Sequence, residues 1–502
     1  MKSRIILTKV MAVLTVFSLL SCTYPSEIEN GDGDTTGPES EVKDPNPYSS
    51  QIPIDFSMAG YRYGNADFPD YPVMTILAPP ADGSDATAMI QNALDHVQTP
   101  GTVLLQAGTY NVSGNLRITR SGVVIRGEGT NTVIVAKGKT QRTLMALGKE
   151  TNRISEEMSD IKDEVTHAGQ MWVRAKYPSL FRKGDRITIN FRPNSRWISD
   201  LKMDQIAQNS SSSVVQWTPD AFSMSWEREV TAIEGDKVWL DAPVVMELDG
   251  KYARDLYIQK VRTARISESG IENVKMVSEY AGPEDEEHAW TAIGVNAAEH
   301  CWVRGVVTAH FGYALVDLKK GARNITVRDC ISTEPVSVIT GSRRYAFCIS
   351  GGELCLIERC RAEEDRHGFI TGARVPGPNV FLDCVMVNAH SSMGPHHRWA
   401  SGILFDNCTT DSVIEIQDRA GYGTGHGWSG VNIVYWNCTG EKIVCQSPWV
   451  NGKNWAVGCI GQKYSGRKYD DGIKRPDGEW LSHGSNVEPQ SLYRYQKSLK
   501  QK

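Results

Sequence analysis

NITVRDC, residues 324–330, closes on a cysteine that returns along the chain at the end of similar segments. CLIERC ends at Cys360, NVFLDC at Cys384, ILFDNC at Cys408, NIVYWNC at Cys438 and WAVGC at Cys459, with gaps of 30, 24, 24, 30 and 21 residues. A unit this short cannot bury its own apolar face, so each must stack on its neighbours as one coil of a solenoid. Apolar and polar residues alternate ahead of each cysteine, as at Ile325 and Val327, which predicts a β-strand in every coil. IENVKMV (271–277) and CWVRGVV (301–307) fit as earlier coils. One recurring strand per turn predicts an all-β fold, a parallel β-helix with a single-stranded solenoid repeat, in which equivalent side chains stack about 4.8 Å apart. The six cysteines then form an interior column of reduced thiols that act as compact apolar filler, with disulfides as the alternative.

Working outward, DGSDATAMIQNALDHV (82–97) reads as a helix with Ser84 or Asp85 as N-cap and with Ile90, Ala93, Leu94 and Val97 on one face, suited to plug the open end of the coil. GTVLLQAGTY (101–110) and SGVVIRGEG (121–129) follow as strands broken by glycine turns. This order of DGxxD-type helix, GTVLLQAGTY strand, SGVVIRGEG and stacked coils resembles the pectin lyase-like superfamily of right-handed parallel β-helices, over residues 70 to 465. The resemblance implies the fold; it leaves the reaction open, because that superfamily includes lyases, hydrolases, esterases and non-enzymatic adhesins.

The period breaks over residues 151–258, where FRKGDRITINF (181–191) and REVTAIEGDKVWLDAPVV (228–245) predict an inserted small antiparallel β unit with EGDK as a turn and serines 210 to 213 as a tip. Residues 51–150 are then the N-terminal cap and first coils, 259–465 the main β-helix, and 466–502 a polar, loop-like C-terminal cap. Residues 1–21 carry Lys2, Arg4 and Lys9 and then an apolar run too short to span a bilayer, which predicts a secretion signal. Leu19-Leu20-Ser21-Cys22 resembles the lipobox of bacterial lipoproteins, so Cys22 is the expected lipidation site and residues 22–50, nearly devoid of apolar side chains, the tether. The expected location is the bacterial outer membrane, facing the periplasm or the cell surface. Without the three signal cations the formal charge of −5 becomes −8, with no basic run, which argues against a nucleic-acid partner; a monomer is expected.

Counting from the cysteines places side chains from different coils on common faces. Arg374, Arg398 and Trp428 lie ten residues before Cys384, Cys408 and Cys438, and His396 and His426 lie twelve before the last two. Beyond the cysteines, Arg366 and His390 share one offset, His367 and Glu415 another. SSMGPHHRWASG (391–402) and EIQDRAGYGTGHGWSG (415–430) thus gather cations, imidazoles, carboxylates and tryptophans on neighbouring coils. That combination suits an acidic polysaccharide: arginine pairs with carboxylates, tryptophan offers a flat face to a sugar ring, and histidine transfers protons near neutral pH.

Uronic-acid polymers can be cleaved by β-elimination, which needs a base for the C5 proton, a cation for the carboxylate and an acid for the leaving O4. His396 or His397 as base, with Arg398 or Arg419 as neutraliser and Asp418 beside them, fits that scheme. Arg366, His367, Arg374, His390, Trp399, Glu415, His426 and Trp428 are the expected substrate contacts. The alternatives are hydrolysis by a carboxylate pair such as Asp418 with Glu415 or Asp365, and glycan capture without cleavage. GHG (425–427) resembles one segment of the polygalacturonase pattern, but the paired-aspartate and Arg-Ile-Lys segments are missing. No cofactor is required by the elimination scheme and no metal ligand set is assigned; calcium, used by some lyases of this fold, would call on the grouped Glu363, Glu364 and Asp365.

Overall fold

A computed structural model describes residues 48–207 and 213–500. The signal segment, Cys22, the tether up to residue 47 and serines 210 to 212 of the tip lie outside the described residues. Thr326–Arg328 pairs in parallel with Leu356–Glu358, that strand with Asn379–Leu382, and the series continues through Ala400–Asp406, Gly430–Trp436, Trp455–Val457 and Glu479–Leu481. A second parallel series begins just after each cysteine, from Ile331–Thr333 through Arg361–Glu363, Val385–Val387, Thr409–Thr410 and Thr439–Cys445 to Ile460–Lys463. A third runs Thr291–Val295, Ala314–Leu318, Phe347–Ile349, Phe369–Thr371 and Gly394–Pro395. The coils that carry this third series contribute three strands each, not the one strand per turn that the cysteine repeat announces, and the fold is the all-β parallel β-helix that the sequence predicts.

The bend between the first and second series is made by one residue. Asp329, Arg359, Asp383, Asn407 and Asn437 have φ between 49° and 55°, and Gly458 has 66°. Asn, Asp and Gly tolerate this left-handed conformation best, which explains why they stand before five of the six cysteines. Because the bend is the same in every coil, Cys330, Cys360, Cys384, Cys408, Cys438 and Cys459 follow one another in register inside the coil. All ten described cysteines are buried and free. Each column thiol lies near a carbonyl of the coil before it, as Cys384 Sγ does to Ile357 O at 3.4 Å, and burial pushes the Cys459 thiol up to about 12.

The plug helix spans Thr87–His96 and buries Ile90, Ala93, Leu94 and the following Val97. Its cap departs from expectation: Ala86 occupies the N-cap position, and Asp85 instead braces the turn by accepting from Thr87 N (3.1 Å) and Ser113 Oγ (2.5 Å). The break in the period is occupied by a six-stranded antiparallel sheet in the order Ile154–Asp160, Ala253–Arg262, Arg186–Pro193, Met224–Glu234, Lys237–Leu240 and Trp172–Arg174. Glu234 pairs with Lys237 across Gly235, whose φ of 61° suits the two-residue turn. This inserted unit buries Phe191 of the sheet, Trp197 of the short helix Ser195–Asp200 and Val245 of a loop in one cluster with Leu356, Val380, Leu404 and Val434 of the coil.

The tail differs from its reading as loop. Glu479–Leu481 adds a strand to the coil, and Leu492–Lys500 forms a helix that runs back to the N-terminal segment, with Tyr493 Oη donating to Ala59 O (2.8 Å) and Gln496 Nε2 to Ile54 O (2.9 Å). Leu492, Tyr495 and Leu499 fall at helical spacing, but the helix is only nine residues long and buries only Leu492 and Tyr493, so its signal is too short to stand out from the polar tail. Among the described residues no helix is long and apolar enough to cross a membrane.

Candidate functional site

The third strand series leads directly into the site. Leu318, Ile349, Thr371 and Pro395 pair in sequence, and His396 follows Pro395 where the chain leaves the sheet. His367 sits at the entry of Phe369–Thr371 one coil earlier, His397 follows His396, and His426 comes from the loop of the next coil. The rings meet: centroids are 4.6 Å apart for His367 and His396, 5.1 Å for His396 and His397, 4.9 Å for His396 and His426, and 5.0 Å for His397 and His426. Gly423 permits the last approach, since a Cβ there would lie 2.3 Å from His426 Nε2.

Arg419 lies beneath these rings and is 4 % exposed. Its Nη1 donates to His396 Nδ1 at 2.8 Å and lies 3.3 Å from Glu415 Oε1. Glu415 is itself fixed by Ser392 Oγ (2.7 Å) and Gln417 Nε2 (2.5 Å). A guanidinium can only donate, so His396 Nδ1 accepts and the ring hydrogen is on Nε2. His367 has the opposite tautomer, because its Nδ1 faces the Ser392 carbonyl at 2.6 Å and must donate, leaving a lone pair on Nε2. That Nε2 is buried without a protein partner, as are Nδ1 of His397, Nδ1 of His426, Nε of Arg419 and Oγ1 of Thr371. So many unsatisfied polar atoms in one place mark a site shaped for a polar occupant.

Burial, and then the neighbouring cations, depress every ring. His367 and His396 are held well below the usual imidazole range by desolvation and Arg419, while His397 falls to about 3 and His426 to about 2. The rings are neutral at pH 7, and the positive charge belongs to the arginines. Arg398 donates to Thr424 Oγ1 (2.7 Å), Arg374 stands over the ring of Phe222, which precedes the strand Met224–Glu234 in the inserted unit (5.5 Å), and Arg366 stands over Tyr345 (6.0 Å). Arg467, from the tail, adds its field to His367, His426 and Arg419.

Several expected contacts are corrected. Trp399 and Trp428 are fully buried: Trp399 packs edge-on against Trp197 and donates to Met246 Sδ, and Trp428 donates to Leu201 O, so both pin the inserted unit through its short helix Ser195–Asp200 and loop and neither offers a face to sugar. Asp418 turns away from Arg419 and pairs with Arg475 at 2.9 Å. Glu415 lies under the site as a brace for Arg419 rather than at its surface. His390 is exposed, and its backbone N donates to Asp365 O. The acidic run does not gather: Glu363 pairs with Arg361, Glu364 faces solvent, and Asp365 is buried with its carboxyl raised by desolvation. Among the described residues no group of three His, Cys, Asp or Glu could hold a metal ion.

Sequence reasoning missed Tyr345, whose ring lies 5.5 Å from His367 and 5.6 Å from His396, although the pairing of Phe347 with Phe369 sets it beside His367. It also missed the tail residues Arg467, Tyr469 and Arg475, which wall a cleft of about 870 Å³ next to Gln446. Their stretch has no period, so counting from the cysteines could not place them.

The sequence matches no protein family and no curated protein. Solved structures share the fold at low identity. A tailspike protein from Pseudomonas phage LKA1 is 16% identical with a TM-score of 0.46, covering 74% of this chain and 56% of its own. A pectate lyase is 8% identical with a TM-score of 0.41, covering 84% and 82%, and a polygalacturonase from Erwinia carotovora is 12% identical with a TM-score of 0.37, covering 84% and 99%. This chain thus spans little more than half the length of the tailspike.

Proposed function

We propose that the chain cleaves an acidic, uronate-containing polysaccharide by β-elimination at the imidazole cluster. The observation that carries this reading is Arg419 beneath four neutral imidazoles, donating to His396 at 2.8 Å with a single carboxylate neighbour, Glu415, among the described residues. Such a cluster has excess positive charge and favours a carboxylate as its occupant. His397, on the open side, takes the C5 proton. The C4–O bond breaks as the C4–C5 double bond forms, Arg419 and Arg398 stabilise the charge developing on the carboxylate, and the leaving oxygen, accepting a hydrogen bond from His396 Nε2–H, takes up a proton from solvent.

The low basicity of His397 fits this order of events. After burial, its depression comes from Arg398, Arg419 and Arg374, and a bound carboxylate offsets that field, so the ring becomes a useful base only with substrate in place. Hydrolysis gains less support: Asp418 is tied to Arg475 and Glu415 to Arg419, Ser392 and Gln417, so neither is free as half of a carboxylate pair.

The test is incubation with a panel of acidic polysaccharides while following ultraviolet absorbance and reducing ends. Elimination raises both signals. Reducing ends without absorbance would replace the proposal with hydrolysis, and binding without either would replace it with capture. His397→Ala is expected to lower kcat by on the order of 100-fold or more.

A further inference from the structure

The register that delivers His396 extends along the whole face. Leu318, Ile349, Thr371 and Pro395 pair coil by coil, so the residues that follow them, Lys319, Ser350, Gly372 and His396, are also in step. Lys319 is therefore three coils from His396, about 14 Å at the usual strand spacing. Between them stand small residues: a Cβ on Gly372 would touch Ser350 at 3.2 Å, and on Gly351 would meet Lys320 N at 2.8 Å. The acid on this track, Asp317, is buried, accepts from Ser350 Oγ at 2.5 Å, and has its carboxyl pushed up by desolvation.

At the far end the junction of inserted sheet and coil holds a recess of about 470 Å³ lined by Arg153, Thr263, Lys319 and Lys320, with Glu150 as the acid on its wall. Neither lysine has a carboxylate within ion-pair distance among the described residues. Arg153 contacts Glu227 at 3.1 Å, but that carboxylate is already held by both Nη atoms of Arg265, at 2.7 and 3.0 Å. The Thr263 hydroxyl is buried without a partner. The recess is thus short of negative charge and has an unfilled hydroxyl, on the same face as the imidazoles and connected to them by a track without bulky side chains.

We infer that this recess is a remote anion subsite, which takes a carboxylate of the same polysaccharide a few sugar residues from the bond cut at His397. The inference rests on the proposed acidic substrate. It makes the N-terminal coils part of the binding track and gives the inserted sheet a role in selecting long over short chains.

The experiment compares wild type, Lys319→Ala/Lys320→Ala and Lys319→Arg/Lys320→Arg for equilibrium binding and turnover of polygalacturonate, alginate and glucuronan, each as polymer and as disaccharide. The alanine variant should raise the polymer Kd about tenfold, leave disaccharide affinity and kcat unchanged, and flatten the salt dependence of binding, and the arginine variant should restore all three. Polymer affinity within twofold of wild type, an equal loss for the disaccharide, or a wild type that binds none of the three polymers overturns the subsite. Polymers bound through the lysines but never cleaved would leave the subsite standing and overturn the elimination reading; cleavage indifferent to the lysines would do the reverse.

Discussion

Two clusters of ionisable side chains are buried in this molecule, and they differ in whether their charges find partners. Where the inserted sheet meets the coil, Arg323 is fully buried between Glu299, Asp241 and Asn324, and Arg228, equally buried, donates to the carbonyls of Ala242, Pro243 and Gly377 and reaches Glu353 at 3.4 Å. Arg265 and Arg153 share Glu227, and Arg186 pairs with Glu299. Each of these arginines has a carboxylate neighbour, although Nε of Arg323 and Nη1 of Arg186 are buried without a hydrogen-bond partner. The imidazole cluster has Arg419 over one carboxylate and ring nitrogens with no protein partner. A buried network whose charges are paired holds two parts of a chain together; one with unpaired charge is incomplete until something binds.

The largest effects are expected when one member of each cluster is removed. Arg323→Ala leaves Asp241 without its ion-pair partner and Glu299 still paired with Arg186, and should cost about 3–5 kcal/mol of stability by denaturant titration. A change under 1 kcal/mol would mean that the junction is wet and its pairing incidental. His397→Ala is the mirror experiment: turnover should fall on the order of 100-fold, or about 3 kcal/mol in activation free energy, while the denaturant midpoint stays level or rises because a desolvated ring is gone. Loss of stability without selective loss of turnover would make the rings a structural cluster like the first.

The two clusters also differ in how far the sequence reveals them. His396, His397 and Arg398 are contiguous, and His367 and His426 follow from counting along a period, so the local pattern brings them together. The same reading assigns Trp399 and Trp428 to the surface because it gives the coil position but not what covers it, and Trp197 and Leu201, at the short helix Ser195–Asp200 of the inserted unit, lie outside the period. Asp418 fails for a related reason, since Arg475 lies in an aperiodic tail. Arg228 and Arg323 show no sequence signal at all: their partners come from other elements, and an isolated arginine in a strand reads as exposed. The coil itself is legible because Asn, Asp or Gly before a cysteine records a backbone conformation directly.

A smaller effect sharpens the contrast through pH. The folded-state values of His397 and His426, about 3 and about 2, lie below the unfolded imidazole value near 6.5, so below that pH the unfolded chain binds more protons. Stability is therefore full above about pH 6.5 and falls on acidification, by about 1.4 kcal/mol per pH unit for each ring. Asp406, pushed up to about 7 by burial, titrates in the opposite sense and stabilises as pH drops from 7 towards 4. Subtracting the profile of His397→Ala/His426→Ala from that of wild type cancels Asp406 and isolates the rings. A flat difference between pH 6.5 and 4.5 would show that they are already protonated in the folded protein, and the cluster would lose its neutral character.

The smallest effect belongs to the cysteine column, which makes no electrostatic demand and so sets the baseline for both clusters. Cys384 lies in register between Cys360 and Cys408, fully buried, with its thiol raised far from ionisation by desolvation. Cys384→Ala removes one sulfur from a close-packed interior and should cost about 1 kcal/mol, well below the loss at Arg323. Reductant should leave the thermal midpoint of the wild type unchanged, because filler thiols stabilise by volume alone. A disulfide anywhere in the column would show as a loss of about 2–5 kcal/mol on reduction. It would also pull two coils out of the register that carries Lys319 into line with His396, so the thiol state of the interior bears directly on the geometry of the outer face.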